Sequence, residues 1–290
     1  MLSKLRCLTR LLLCLCLLLG WNGTALCSQP PPPQRIVSLA PAMTEMLFAL
    51  GLGKRVVGVT SACDRPAAAR NKAKIGGMAN PSIEAIVALK PDLVVMNTDG
   101  NPKAVAERLA GLGIKTYVFR ARRLGELPAG IREMGRALGA QAAAKGLAAG
   151  IETAIRATKV LHQGKPSPSG AGGCRKVLFV IWPAPLIVAG PGTILDDAMG
   201  LHGMCNIAAD AQVPYPRFSL EAVIERRPDL ILIGQGHADM KKLSGRLLKS
   251  LGMLEAVKKG RVCYMDDALY RPGPRIPAGM AELDRCGKLP

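Results

Sequence analysis

Residues 82–96 read SIEAIVALKPDLVVM and residues 219–233 read SLEAVIERRPDLILI, two stretches with six identical residues and conservative matches at most of the others. Each opens on a serine, which as a helix N-cap accepts a hydrogen bond from a first-turn N–H. Each then puts a glutamate, Glu84 or Glu221, where a negative charge meets the positive end of the helix dipole. A proline stops the short helix, and the chain enters a run of aliphatic residues suited to a buried strand. The repeated unit is helix, tight turn, strand. Its period of 137 residues far exceeds that of a solenoid, so the chain reads as two similar α/β lobes.

The first lobe spans residues 35–122. RIVSL, VVGVT, DLVVM and KTYVF are its strands, separated by helical stretches at Thr44 to Leu50, Ser82 to Leu89 and Pro102 to Leu112. Such alternation gives a parallel sheet covered by helices. The second lobe spans residues 174–290, with strands KVLFVIW, PLIVAG, DLILIG and RVCYM and helices near 194–200, 220–226, 242–248 and 277–283; Pro183 and Pro185 belong to a turn. Between them, residues 123–163 are helical. A first stretch, Gly125 to Leu138, is broken by Gly139, and an Ala-rich helix from Gln141 to Leu161 carries Leu147, Ile151, Ala154, Ile155 and Thr158 on one stripe. A helix of about 20 residues is a rod roughly 30 Å long, able to bridge the lobes. Residues 164–173 follow as a flexible or Pro-stiffened connector. The expected fold is α/β: two Rossmann-like lobes with mainly parallel sheets, joined by a single long bridging helix.

The chain begins with a basic stretch and an apolar run, Leu11 to Leu19, that is shorter than the roughly 20 residues of a membrane span. This is the pattern of a secretory signal peptide over residues 1–27, followed by a Pro-rich spacer, residues 28–34. The expected location is periplasmic. Cleavage after Cys27 leaves a free protein; lipid anchoring at Cys27 is the alternative, although Leu26 stands where lipidation requires a small residue. The formal charge of +18 falls to +15 once Lys4, Arg6 and Arg10 leave with the leader. The mature cysteines are Cys63, Cys174, Cys205, Cys263 and Cys286, an odd number without zinc-site spacing. Export favours a disulfide among them, with Cys263 in RVCYM read as a small buried apolar residue.

Signatures of other chemistries are missing. RIVSLAPAMTE replaces the glycine-rich turn of a dinucleotide site, and there is no phosphate-binding P-loop. His162, His202 and His237 are too scattered in sequence for a metal triad or a Ser/His/Asp order. Basic residues are dispersed and aromatics make up only 3% of the chain, which argues against nucleic acid. No cofactor, no metal site and no catalysis are expected.

RIVSLAPAMTEMLFALGLGKRVVGVT, CDRP, the two repeat copies and YRPGPRI, in that order across residues 35 to 285, resemble the class III periplasmic substrate-binding proteins of ABC importers for corrinoids, ferric siderophores and haem, the cobalamin-binding members most of all. The resemblance implies a monomer whose lobes close slightly on a metal chelate or corrinoid. It also implies as partner an importer permease dimer with its ATPase, reached through Glu84 and Glu221. Equivalent carboxylates on pseudo-twofold lobes suit equivalent basic sites on a symmetric dimer; helix capping is a compatible second role. A disulfide between Cys205 and Cys286 is likewise implied.

The cleft of such a fold lies at the carboxyl ends of the strands. Its candidate loops carry Pro41, Ala42, Met43, Ala62, Met78, Asn97, Tyr215, Asp267 and Arg271 as ligand-binding residues. Tyr215, Asp267 and Arg271 match an aromatic, an acid and a base of the cobalamin-binding members, whereas Ala62, Met78 and Asn97 stand where those carry Tyr or Trp. Gly77 stands near the position at which the haem branch has a tyrosine ligand. Two alternatives use the same cleft. One is an α/β enzyme. The other is a soft-metal protein ligating through Met43, Met78, Met96 and Cys63, side chains that serve equally as an adaptable apolar wall.

Overall fold

Ile36, Val37 and Ser38 have no solvent exposure, and the strand they form, β1 (Ile36–Ser38), is the middle of a five-stranded sheet. The computed structural model describes residues 31–163, 173–236 and 239–290, and residues 33–290 are one compact unit. The leader, the first residues of the spacer, nearly all of the connector and His237 lie outside the described residues.

After β1 the chain forms α1 (Pro41–Ala49), β2 (Val56–Val59), β3 (Ala73–Lys74), α2 (Ile83–Ala88), β4 (Leu93–Asn97), α3 (Lys103–Gly111) and β5 (Thr116–Phe119). Helix α1 begins at Pro41 rather than at Thr44, because proline at the first helical position costs no hydrogen bond. The strand order is β3-β2-β1-β4-β5, all parallel. The chain thus leaves β1 toward one edge and returns through β4 to the other, and the switch point lies between β1 and β4.

Helices α4 (Leu127–Leu138) and α5 (Gln141–His162) follow, separated at Gly139, whose φ of 70° ends α4. The 22 residues of α5 make a rod of about 33 Å. The second lobe contains β6 (Arg175–Pro183), β7 (Leu186–Val188), α6 (Ile194–Leu201), β8 (Met204–Asn206), α7 (Leu220–Arg226), β9 (Leu230–Gly234), α8 (Met240–Ser250), α9 (Glu255–Lys258), β10 (Val262–Met265) and α10 (Ile276–Gly287). Its sheet runs β10-β9-β6-β7, with β8 parallel to the start of β6 and β7 antiparallel to its end. Here the switch point lies between β6 and β9. The short elements β3, β8 and α9 were not expected from sequence.

The repeat holds down to the backbone. Ser82 Oγ accepts from Ala85 N–H at 3.1 Å and Ser219 Oγ from Ala222 N–H at 3.2 Å. Lys90 and Arg227, each just before the proline, take left-handed φ values of 46° and 47°. Asp92 then accepts the N–H groups of Gln34 and Arg35 ahead of β1, and Asp229 accepts that of Lys176 in β6. Each copy therefore pins the central strand of its own sheet.

Each sheet also divides its side chains between two cores, following the period of two along a strand. Val37 and Val94 face a core with Ile86 and Leu109, while Leu178, Val180 and Ile231 face another with Val223 and Leu247. The opposite faces share one continuous core: Ile36, Val95 and Phe119 join Val177, Phe179 and Leu232 through Ile131, Met134, Ala144, Ala148 and Ile151 of α4 and α5. Separating the lobes widely would open that core.

The disulfides differ from expectation. Cys174 pairs with Cys205 and Cys263 with Cys286, in place of a Cys205–Cys286 bridge. Strand β8 lies beside the start of β6, which brings Cys205 next to the chain entering β6, and α10 covers β10, which brings Cys286 to Cys263. Cys263 is thus a bridge partner rather than a lone apolar residue. Among the described residues Cys63 is the free thiol, buried and within 3.1 Å of the hydroxyls of Thr44 and Thr60.

Candidate functional site

The two switch points face each other across a cavity of about 280 Å³. From the first lobe it receives Pro41 and Ala42 after β1, Ala62 after β2, Met78 after β3, and Asn97, Asp99 and Gly100 at the end of β4. From the second it receives Ile181 in β6, Tyr215, Gly236 after β9, and Tyr270 and Arg271 after β10. Parallel strands on both sides deliver their following loops to this one place, as open α/β sheets do.

Asn101 organises the first wall. Its Oδ1 accepts the backbone N–H of Asn97 at 3.0 Å, while its Nδ2 donates to the carbonyls of Leu39 at 2.9 Å and Met78 at 3.0 Å. One carboxamide thereby ties together the loops after β1, β3 and β4. Asn97 is buried, and among the described residues its own Oδ1 has no hydrogen-bond partner; a buried amide oxygen left open beside a cavity is suited to an N–H from a ligand. Asp99 pairs with Arg122 at 2.7 Å, and burial, opposed by that arginine, holds its carboxyl above the usual range.

In the second wall, the Val213–Pro216 loop is fixed to β7 and the turn after it: Val188 N–H donates to Pro216 O and Gly190 N–H to Pro214 O. A Cβ at Gly190 would stand 2.6 Å from Val213 O, so glycine lets the loop approach. This aims Tyr215 at the cavity, where burial first and then the nearby Asp99 charge push its phenol up to about 12. Tyr270 lies over Gly234 and Gly236, which leave room for its ring, and meets Phe179 edge-on at 6.4 Å. Burial, reinforced by Asp267, also pushes Tyr270 upward. Arg271 reaches the cavity while its Nη1 donates to Asp64 at 2.8 Å and Nη2 pairs with Asp267 at 2.7 Å.

Of the nine sequence candidates, Pro41, Ala42, Ala62, Met78, Asn97, Tyr215 and Arg271 line the cavity, and Met43 and Asp267 do not. Met43 has no exposure and points into the shared core, since one step along α1 from Ala42 turns the side chain by about 100°. Asp267 is buried against Arg271 and Arg275. Asp99 and Tyr270 fall in loops expected at the cleft but were not singled out. Aromatic or acidic residues just beyond a strand end were the available signal. The sulfurs do not converge: Met43 and Cys63 pack in the shared core, Met96 in a separate one, and only Met78 of the four lines the cavity. His162 and His202, far apart in sequence, come together at 4.9 Å between ring centroids beside Asp284, but none of the three lines the cavity.

Residues 36–269 match the family model for periplasmic binding proteins. The chain belongs to that family. A vitamin B12-binding protein of Pectobacterium carotovorum subsp. carotovorum is 31% identical over 202 residues, covering 70% of this chain and 71% of the relative. Among solved structures, the periplasmic vitamin B12 binding protein BtuF of Vibrio cholerae superposes with a TM-score of 0.76 at 25% identity, covering 89% of this chain and 98% of that one. The apo periplasmic haem-binding protein RhuT of Roseiflexus sp. RS-1 superposes with a TM-score of 0.77 at 29% identity, covering 88% and 97%. The family and these neighbours are binding proteins rather than enzymes, and the two-lobed fold of this periplasmic binding protein is theirs.

Proposed function

We propose that this periplasmic binding protein captures a metal chelate of the corrinoid type in the seam between its lobes and hands it, chemically unchanged, to an ABC importer permease dimer driven by its ATPase. The cavity carries the proposal. Its wall is largely apolar, from Pro41, Ala42, Ala62, Met78 and Ile181, with a few polar groups from Asn97, Asp99, Tyr215 and Arg271. That mixture suits a large ring with an apolar edge and amide substituents, and the relatives named for vitamin B12 point the same way. At about 280 Å³ the cavity is smaller than a macrocycle, so the lobes part modestly on binding.

Glu84 and Glu221 are both exposed on the first turns of α2 and α7, the two repeat helices, as the permease-docking pair. Residues 1–27 serve as the export signal and the protein acts as a periplasmic monomer. Thermal-shift and equilibrium titration of the leaderless protein with cyanocobalamin, cobinamide, a ferric siderophore and haemin test the proposal. A corrinoid at a hundred times its dissociation constant raises stability by about 2.7 kcal/mol. Binding of haemin with no response to either corrinoid would replace the corrinoid by haem, with Tyr215 and Tyr270 as oxygen donors.

A further inference from the structure

Behind the cavity the lobes are joined by a cluster of seven charged side chains. Glu45, Asp64 and Arg65 come from the first lobe; Asp266, Asp267, Arg271 and Arg275 come from the second. Glu45 on α1 is only 5% exposed, and Arg275 grips it with both arms of its fork, Nε to Oε2 at 2.6 Å and Nη2 to Oε1 at 2.9 Å. The same guanidinium reaches Asp266 at 2.9 Å and Asp267 at 2.5 Å. Glu45 and Asp267 in turn hold Arg271, at 3.3 and 2.7 Å. Of all seven, only Arg271 lines the ligand cavity; Glu45, Asp64, Arg65 and Arg275 border an open hollow of about 750 Å³ on another side. The cluster is therefore a thin wall between ligand and solvent.

We infer that Glu45 and Arg275 are positioning residues: their half-buried fork sets the separation of the lobes and aims Arg271 into the cavity, so that the lifetime of the bound ligand is controlled by two side chains that never touch it. A bidentate Arg–carboxylate pair fixes orientation as well as distance. Four carboxylates on three guanidinium groups leave Arg271 no freedom to turn away from the cavity without abandoning Asp64, Glu45 or Asp267. A side chain held in this way is pre-organised where it borders the cavity. Opening the lobes has to pull Glu45 from both arginines and break the three charge-assisted hydrogen bonds that hold it. The continuous core through α4 and α5 limits the swing; the cluster sets where within that range the lobes rest.

This inference rests on the binding role proposed above, and the experiment separates the two. Spin labels at Leu112→Cys and Met253→Cys, exposed positions on opposite lobes, report the inter-lobe distance in Arg275→Met, Arg275→Lys and the near-isosteric Glu45→Gln, with folding checked by circular dichroism. Cyanocobalamin association and dissociation rates are measured alongside. Arg275→Met is expected to broaden the distance distribution and speed dissociation about tenfold or more with little change in association. Arg275→Lys, which keeps the charge and loses the fork, falls between. Folded Arg275→Met or Glu45→Gln with the wild-type distance distribution overturns the inference, as do unchanged dissociation rates. A wild-type protein that takes up no corrinoid defeats the binding proposal instead, and the distances still decide this one.

Discussion

Asn97 and Asn101, four residues apart around the end of β4, are joined by a hydrogen bond from the backbone N–H of one to the side-chain oxygen of the other at 3.0 Å. The two Nδ2 hydrogens of Asn101 are donated to Leu39 O and Met78 O. Asn101→Ala therefore orphans one buried N–H and releases two carbonyls in a single step. Each unsatisfied group costs about 1–3 kcal/mol, so urea unfolding is expected to show a loss of at least about 3 kcal/mol. Because the same bonds position Met78 and Asn97, cyanocobalamin affinity falls as well. A variant with full stability and affinity would mean that the three loops are held in some other way.

Gly135 of α4 faces Ala144 of α5 so closely that a Cβ at position 135 would overlap the Cβ of Ala144. Gly135→Ala is expected to destabilise by about 1–3 kcal/mol, the usual range for overpacking. Ala144→Gly in the same chain restores much of the loss, apart from the roughly 1 kcal/mol cost of glycine in a helix. Thermal melts of the single and double variants check this, and an additive double variant would place the strain elsewhere.

Glu84 and Glu221 are fully visible in the sequence because the motif that contains them is local: Ser cap, first-turn acid, helix stop, strand. Each interaction in it spans a few residues, and the two α/β lobes with a helical bridge between them follow from counting such units, whereas the strand orders do not. The cluster around Glu45 and Arg275 was not legible, since those residues are 230 apart and only the fold makes them neighbours. Met43 was misread for a different reason: a loop or helix start can be assigned to a cleft from topology, but which side chain turns inward depends on one 100° step. Strand β8, three residues long, carries no alternation to read, and with it went the pairing of Cys205.

Glu84→Ala with Glu221→Ala tests the docking pair. Both side chains are exposed, and Glu221 is held below the usual carboxylate range by its own backbone N–H and by Ser219. Neither lines the cavity. The double variant is expected to keep ligand affinity within about twofold while uptake through the cognate importer is lost, since charge complementarity governs encounter and register. Loss of affinity in parallel with uptake would contradict the division of labour.

Half-exposed Asp266 and buried Asp267 are neighbours with opposite consequences for pH. Hydrogen bonding from Asp267, together with Arg275 and Arg65, holds Asp266 low, whereas burial and its neighbour push Asp267 up to about 6. Both carboxyls titrate near 3.9 when unfolded. The contribution of Asp267 is then complete below about pH 4 and is lost as pH rises through 6; that of Asp266 is present above about pH 4 and is lost as pH falls below it. Asp267→Asn cannot titrate, so the stability of wild type relative to this variant is expected to fall by about 1–2 kcal/mol between pH 4 and 7, allowing for partial solvent screening. Urea titrations at pH 4, 5, 6 and 7.5 measure it, and a difference that does not change with pH would rule out titration of Asp267 in that window.

Cys174–Cys205 and Cys263–Cys286 close segments of 31 and 23 residues. On the chain-entropy model each loop contributes about 3–4 kcal/mol by restricting the unfolded chain. The first ties the edge strand β8 to the start of β6, and the second ties α10 to the last strand of the sheet, just ahead of the loop that carries Arg271. Non-reducing peptide mapping of protein exported to an oxidising compartment is expected to return these two pairs, with Cys63 alkylated only after unfolding because it is 1% exposed. Cys263→Ser with Cys286→Ser should loosen α10, which begins directly after Arg275. The effect on ligand dissociation is then larger than that of Cys174→Ser with Cys205→Ser at equal loss of stability. Equal dissociation rates for the two would mean that α10 is held over the cluster by packing alone.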